Sequence, residues 1–189
     1  MIIGNVTAIK QDNIKRMLAY SSVGHAGYMM IAIVLNTAEA TSSLIFYSIV
    51  YVFTQIGAFA VIGILETKNE AQMTKNDYSG ISKKHPFLAI TLAMFMFSLA
   101  GIPPFAGFFA KYFIFVEAIN QGYVWLTIIA IITSIMACYF YLSVIVQMFF
   151  KENVADIEIS KHNISNITIL LSAIAVVIIG IIPIIEFVQ

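Results

Sequence analysis

Hydrophobic positions along this chain do not alternate and do not follow a two-sided helical rhythm. They come in long unbroken runs. Five stand out: Met17 to Asn36, Ser42 to Leu65, Pro86 to Ile119, Gly122 to Phe150 and Ile164 to Val188. Each is long enough for the ~20 residues that cross a ~30 Å hydrocarbon core. Lipid offers backbone groups no partner, so the runs predict helices; strands of a membrane barrel would alternate in polarity over about ten residues. The expected fold class is an all-α integral membrane protein, a single transmembrane domain over residues 1–189 with about five helices. The third run, 86–119, is expected to be broken. Residues 1–9 are apolar but too short to span. They read as the remnant of a preceding helix, so the chain is expected to be the later part of a longer one.

Composition sharpens the class. Of 189 residues, 60% are hydrophobic and only 11% charged, against about 25% charged in a soluble domain. The net charge is zero and points to no nucleic acid. The distribution of basic residues is more informative. Nine of the ten fall at the N-terminus or in the segments around 66–85 and 151–163. The short connections after the first and third runs carry none. By the positive-inside rule, the N-terminus and the 66–85 loop should be cytoplasmic, or matrix-facing in an organelle, and the C-terminus opposite. The loop Glu66–His85 reads as solvated. The lone Cys138 forms no internal disulfide and reads as a packing residue. No Walker loop, dinucleotide glycine pattern or Cys/His metal spacing occurs, so no metal, flavin, iron–sulfur cluster or nicotinamide is expected on this chain.

Lys111 is the tenth basic residue, set among apolar neighbours. A lysine inside a membrane helix costs about 2.5–3.5 kcal/mol on insertion scales and usually lines a polar path. A bland alternative is that it snorkels to the headgroups, ~12 Å away along the helix. The backbone nearby favours a functional reading. One helix over 86–119 would measure ~51 Å, more than the core needs. Gly101, Pro103, Pro104 and Gly107 mark a break in it, since two prolines remove two amide donors. Broken helices mark ion and substrate sites near the midplane of transporters. A lysine there that can lose its proton is a candidate proton carrier.

The first helix adds Lys15, Ser21, Ser22, His25 and Tyr28. His25 lies ten residues, or ~15 Å, past Lys15, near the midplane, where imidazole can donate and accept a proton. A core histidine bonded to a neighbouring helix, and a lysine acting only as a cytoplasmic anchor, are the bland readings. Thr54 and Gln55 are expected to make interhelical hydrogen bonds. Tyr139 and Tyr141 are expected to be packing or interfacial aromatics, and Glu117 and Glu186 to meet water. The Asn5, Asn163 and Asn166 glycosylation matches read as chance.

Two stretches carry a family resemblance. Gly4-Asn5, Ala8, Gln11 and Asn13-Ile14-Lys15-Arg16-Met17-Leu18-Ala19-Tyr20-Ser21-Ser22, with His25 and Gly27-Tyr28, resemble the signature of antiporter-like membrane subunits. Ser98-Leu99-Ala100-Gly101-Ile102-Pro103 with Gly107-Phe108 and Lys111-Tyr112 resembles the subunit N family of proton-translocating NADH:quinone oxidoreductase (respiratory complex I). The related subunit M family carries glutamate where this chain has Lys111. The resemblance covers essentially the whole chain. It implies a fold of fourteen helices with two inverted five-helix repeats, each with a broken helix, of which this chain would supply the end of the ninth helix and helices ten to fourteen, the second repeat without most of its first helix. It also implies proton translocation through Lys111, with His25 on the path and Lys15 as the basic residue before it. The implied partners are other complex I membrane subunits and the lipid bilayer. NADH and quinone would be used by the parent complex, with no redox chemistry in this chain. The alternatives are a subunit of a multisubunit cation/proton antiporter or membrane-bound hydrogenase, and a truncated scaffold that does not pump. A bacterial inner membrane is the expected location, with an organelle inner membrane as the other choice.

Overall fold

The computed structural model describes residues 1–65, 74–152 and 163–188, and among them every regular element is helical. Helix α1 spans Ile2–Ile9, α2 Ile14–Leu35, α3 Ala38–Leu65, α4 Ile81–Lys84, α5 Pro86–Ala100, α6 Ala106–Asn120, α7 Val124–Phe150 and α8 Asn163–Val188, with a 3-10 turn at Lys75–Tyr78. Four of these, α2, α3, α7 and the stretch Asn166–Pro183 of α8, are long and apolar enough to cross a membrane. The third apolar run is divided between α5 and α6, each 15 residues and so ~22 Å long, each too short to cross a ~30 Å core alone.

Local chemistry sets the helix ends. Asn13 caps α2 by accepting from the Arg16 N–H at 3.0 Å, so the helix begins at Ile14 rather than Met17 and takes in Lys15 and Arg16. The cap supplies one of the four acceptors that a helix start lacks. Asn36 ends α2 in the left-handed conformation, φ 51°, and α3 starts at Ala38, earlier than Ser42. Pro86 opens α5 at the first helical position, where no N–H is needed. Gly107 lies inside the first turn of α6; it does not belong to the break.

The helices pack as one bundle. α3 lies against α8, α5 and α6, α5 against α7, and the short α1 against α2 and α7. The buried interior holds large side chains such as Tyr28, Tyr141, Phe95, Phe140, Leu92 and Met96. Outward faces carry Ile33, Val34, Ile45, Ile49 and Ile132, as a lipid-facing surface requires. Trp125 stands exposed at the start of α7, where an interfacial aromatic is expected.

The segment before α5 departs from the solvated loop that its lysines suggested. Residues 66–73 lie outside the described residues. From Thr74 on, the chain folds back on the bundle: the Lys75 N–H donates to the Asp12 carbonyl at 2.8 Å and Gly80 N–H to the Gln147 carbonyl at 3.2 Å. Tyr78, Ser79 and Ile81 are buried. The Gln147 side chain donates to Asn76 Oδ1 and Ser79 Oγ. A tyrosine with polar partners for its backbone neighbours outweighs the charge pattern around it.

Candidate functional site

The site is built at the end of α5. A helix leaves its last four carbonyls without partners. Here Gly101, at φ +81°, turns the chain in the left-handed conformation that only glycine adopts cheaply. Ile102 N–H then donates to the Phe97 carbonyl and Gly101 N–H to that of Ser98, both at 3.0 Å, the Schellman pattern. Two carbonyls remain, Leu99 and Ala100. Both accept from Lys111 Nζ, at 3.0 Å each. A lysine from the next helix thus completes the cap, at the end where the helix dipole favours positive charge.

A side chain this early in α6 could stay beside the positive N-terminus of its own helix. Side-chain reach decides otherwise. The side chain runs back across the break to the carbonyl end of α5. It is 5% exposed and does not extend toward the headgroups. A third acceptor, Ser134 Oγ on α7, lies 2.9 Å from Nζ. The ammonium's three N–H groups meet three acceptors. Nζ also sits 5.5 Å from the Tyr28 ring centroid, within cation–π range.

The break is held from both sides. The Gly107 N–H donates to Ser98 Oγ at 3.2 Å. A Cβ on Gly107 would lie 1.8 Å from the Ser98 carbonyl oxygen, so only glycine lets α6 approach this closely. The Phe97 and Phe105 rings stack across the gap at 5.9 Å.

His25 lies beside this cap. Its Nδ1 is 2.8 Å from the Tyr47 hydroxyl and its Nε2 3.0 Å from that of Tyr141. Its ring is 4.9 Å from that of Tyr51 and 6.0 Å from that of Tyr28. In the neutral imidazole one nitrogen donates and the other accepts, so the two tyrosines take opposite roles. A small void of about 10 Å³ adjoins the ring, bounded by Tyr51, Thr54, Ser98, Leu99 and Gly107. That is about the room of one water molecule. Tyr28 touches both centres. Its hydroxyl donates to Thr133 Oγ1 at 3.1 Å and accepts from Asn5 Nδ2 at 3.1 Å. Asn5 also donates to the Thr133 carbonyl at 3.0 Å, in space left open because residue 24 is glycine.

Lys111, His25, Gly101 and Gly107 therefore share one site, with Pro103 and Pro104 in the turn that forms it. Lys15 does not join it. Lys15 stands half-buried in the first turn of α2, ten residues and ~15 Å of helix rise from His25. Thr54 makes the expected contact between helices, to Ser98 at 3.4 Å. Gln55 keeps a buried Oε1 with no partner among the described residues. Tyr141 is a partner of His25 rather than a packing ring, whereas Tyr139 is exposed at 68%. Glu117 does not meet water freely: it is buried and accepts from Thr37 Oγ1 at 2.9 Å and Gln121 Nε2 at 3.0 Å. The Glu186 side chain lies outside the described ones. Among the described residues no group of His, Cys, Asp and Glu is placed to hold a metal ion.

Sequence reading missed Asn5, Tyr47, Tyr51, Thr133 and Ser134 as site residues. A signal was present. Ser21, His25 and Tyr28 on α2, Tyr47, Tyr51 and Thr54 on α3, and Ser134, Cys138 and Tyr141 on α7 each follow an i, i+4, i+7 spacing, which puts them on one helix face.

Comparison with known proteins places this arrangement. NADH-quinone oxidoreductase subunit N of Trichlorobacter lovleyi is 46% identical over 194 residues, covering all of this chain and 39% of the relative. The chain spans about two fifths of the length of the curated relatives it matches. Among solved structures, a chain of respiratory complex I from Thermus thermophilus with bound aureothin matches with a TM-score of 0.84 and 30% identity, over 96% of this chain and 41% of that one. A chain of the Mrp complex from Dietzia sp. DQ12-45-1b matches with a TM-score of 0.75 and 27% identity, over 80% of this chain and 28% of that one. The family model for the transmembrane part of NADH:quinone oxidoreductase and Mrp antiporters matches residues 1–137, and so the chain, a multi-pass membrane protein, belongs to the NADH:quinone oxidoreductase/Mrp antiporter transmembrane family.

Proposed function

We propose that this chain is the later part of subunit N of a proton-translocating NADH:quinone oxidoreductase and carries protons through Lys111 and His25. The observation that carries the reading is the Lys111 ammonium, buried at a helix break and matched N–H for N–H by Leu99, Ala100 and Ser134. A buried membrane lysine costs several kcal/mol unless it is partnered in this way. Polar faces of α2, α3 and α7 meet around it, and Tyr28 links it to His25. Protons reach Lys111 along these groups and through water near His25, and leave toward the side of the membrane opposite the basic segments. Those segments, with the N-terminus, face the cytoplasm of a bacterial inner membrane. NADH and quinone belong to the parent complex, whose other membrane subunits are this chain's partners.

The test is proton pumping by membrane vesicles holding the assembled complex, with Lys111→Ala against wild type, beside quinone reduction and an assembly check. Assembly with pumping lowered about a hundredfold or more, a typical contribution of a positioned proton-transfer group, supports the reading. Unchanged assembly and pumping would leave Lys111 a tolerated lysine and favour the scaffold alternative. The similarity to an Mrp complex chain keeps a second reading, a cation/proton antiporter subunit. Ion movement in the absence of NADH and quinone would favour it.

A further inference from the structure

Lys111 has three acceptors, and they are not equivalent. The Leu99 and Ala100 carbonyls can only accept. Ser134 carries a hydroxyl, which can accept or donate. While Lys111 is an ammonium, Ser134 accepts its third N–H. When the proton leaves, the amine keeps two N–H groups for the two carbonyls and gains a lone pair that needs a donor. Ser134 is the group within 2.9 Å that can turn its O–H to supply one.

The surroundings give this exchange a direction. Lys111 and Ser134 sit together on the wall of a groove of about 330 Å³ between α6 and α7, otherwise walled largely by apolar side chains such as Phe108, Phe115, Ile131 and Ile135. The groove extends along α6 to Ile119, near the end of that helix. Apart from Lys111, Ser134 and the Tyr112 hydroxyl, its lining is apolar and offers a proton no resting place. On the opposite side, the Tyr28 hydroxyl lies beside Ser134 and connects through the Tyr28 ring to His25.

We infer that Ser134 is a positioning residue for proton release, whose hydroxyl reverses from acceptor to donor as Lys111 gives its proton to water in the groove between α6 and α7. In that step one N–H bond of the ammonium breaks and one O–H bond of hydronium forms. Ser134 rotates and keeps its own proton. The inference rests on the reading of Lys111 as a proton site.

Ser134→Ala, Ser134→Thr and Lys111→Ala are compared in vesicles carrying the assembled complex, reading protons pumped per quinone reduced. Ser134→Ala should assemble and lose between about twofold and tenfold, the worth of one hydrogen bond. Ser134→Thr, which restores the hydroxyl, should recover most of the loss. A mere packing role would not be rescued by the bulkier threonine. Wild-type pumping in Ser134→Ala, with Lys111→Ala impaired, overturns the inference and leaves the Lys111 reading standing. Normal pumping in both variants overturns both. Assembled Ser134→Thr that pumps no better than alanine also overturns it. Should the alanine complex not assemble, Ser134→Cys keeps the side-chain shape at slightly larger size and weakens the hydrogen bond; it must show the loss, and wild-type pumping there counts against the inference.

Discussion

Replacing Gly101 with alanine separates backbone strain from crowding of the lysine. Gly101 has φ +81° and Gly122, in the turn before α7, has φ +82°. Either glycine-to-alanine change imposes a left-handed conformation that costs about 1–2 kcal/mol for a residue with a side chain. Beyond that the sites differ. A Cβ on Gly122 would meet nothing within 4 Å, whereas one on Gly101 would lie 3.0 Å from Lys111 Cδ and 3.2 Å from Nζ. The lysine must then shift by a few tenths of an ångström from three acceptors it meets at 2.9–3.0 Å. Hydrogen bonds to a charged group are worth about 1.5–3 kcal/mol each, so partial loss of two or three adds a second cost of about that size. Gly101→Ala should therefore lower the thermal midpoint of the assembled complex more than Gly122→Ala and should alone depress pumping. Thermal unfolding of the purified complex and vesicle pumping check both effects. Equal destabilisation with equal pumping would refute the claim that Gly101 is small in order to admit Lys111.

Other substitutions test the remaining parts of the site. His25→Ala should leave the Tyr47 hydroxyl buried without its partner, at about 1–3 kcal/mol, while Tyr141 keeps Ser21; adding Tyr47→Phe should return much of the lost thermal stability while pumping stays low. Glu117→Ala should free Thr37 and speed amide hydrogen exchange at 36–38, and Glu117→Gln, which still accepts from Thr37, should not. At Lys75, outside the membrane-spanning helices, burial lowers the pKa from 10.5 and attraction to Asp12 offsets part of the effect. Because the folded value lies below the unfolded one, the unfolded chain binds more protons in the window between them. Folding thus gains stability as pH rises through that window, and the cost is fully present below it. Lys75→Gln should accordingly raise the thermal midpoint near neutral pH and lose that advantage toward pH 10.5.

The sequence by itself determined the solvent and the plan. Runs of twenty or more apolar residues admit only helices in lipid, and Gly101 with Pro103 and Pro104 forces one of them to break, because proline cannot donate to the helix ladder. It also singled out Lys111 and His25, since charge and imidazole within an apolar run are costly to bury. What it could not determine was where those side chains point. A lysine reaches ~6 Å from its Cα, far enough to choose between two helix ends, and only the return of α6 against α5, made possible by Gly107, set the ammonium on the α5 carbonyls. The polar faces of α2, α3 and α7 were readable one at a time. Their meeting was not, because helix spacing fixes which residues share a face but leaves open which faces touch. Packing across 23 residues for Ser134 and 116 for Tyr141 turned a serine and a tyrosine with ordinary local surroundings into partners of the two central groups.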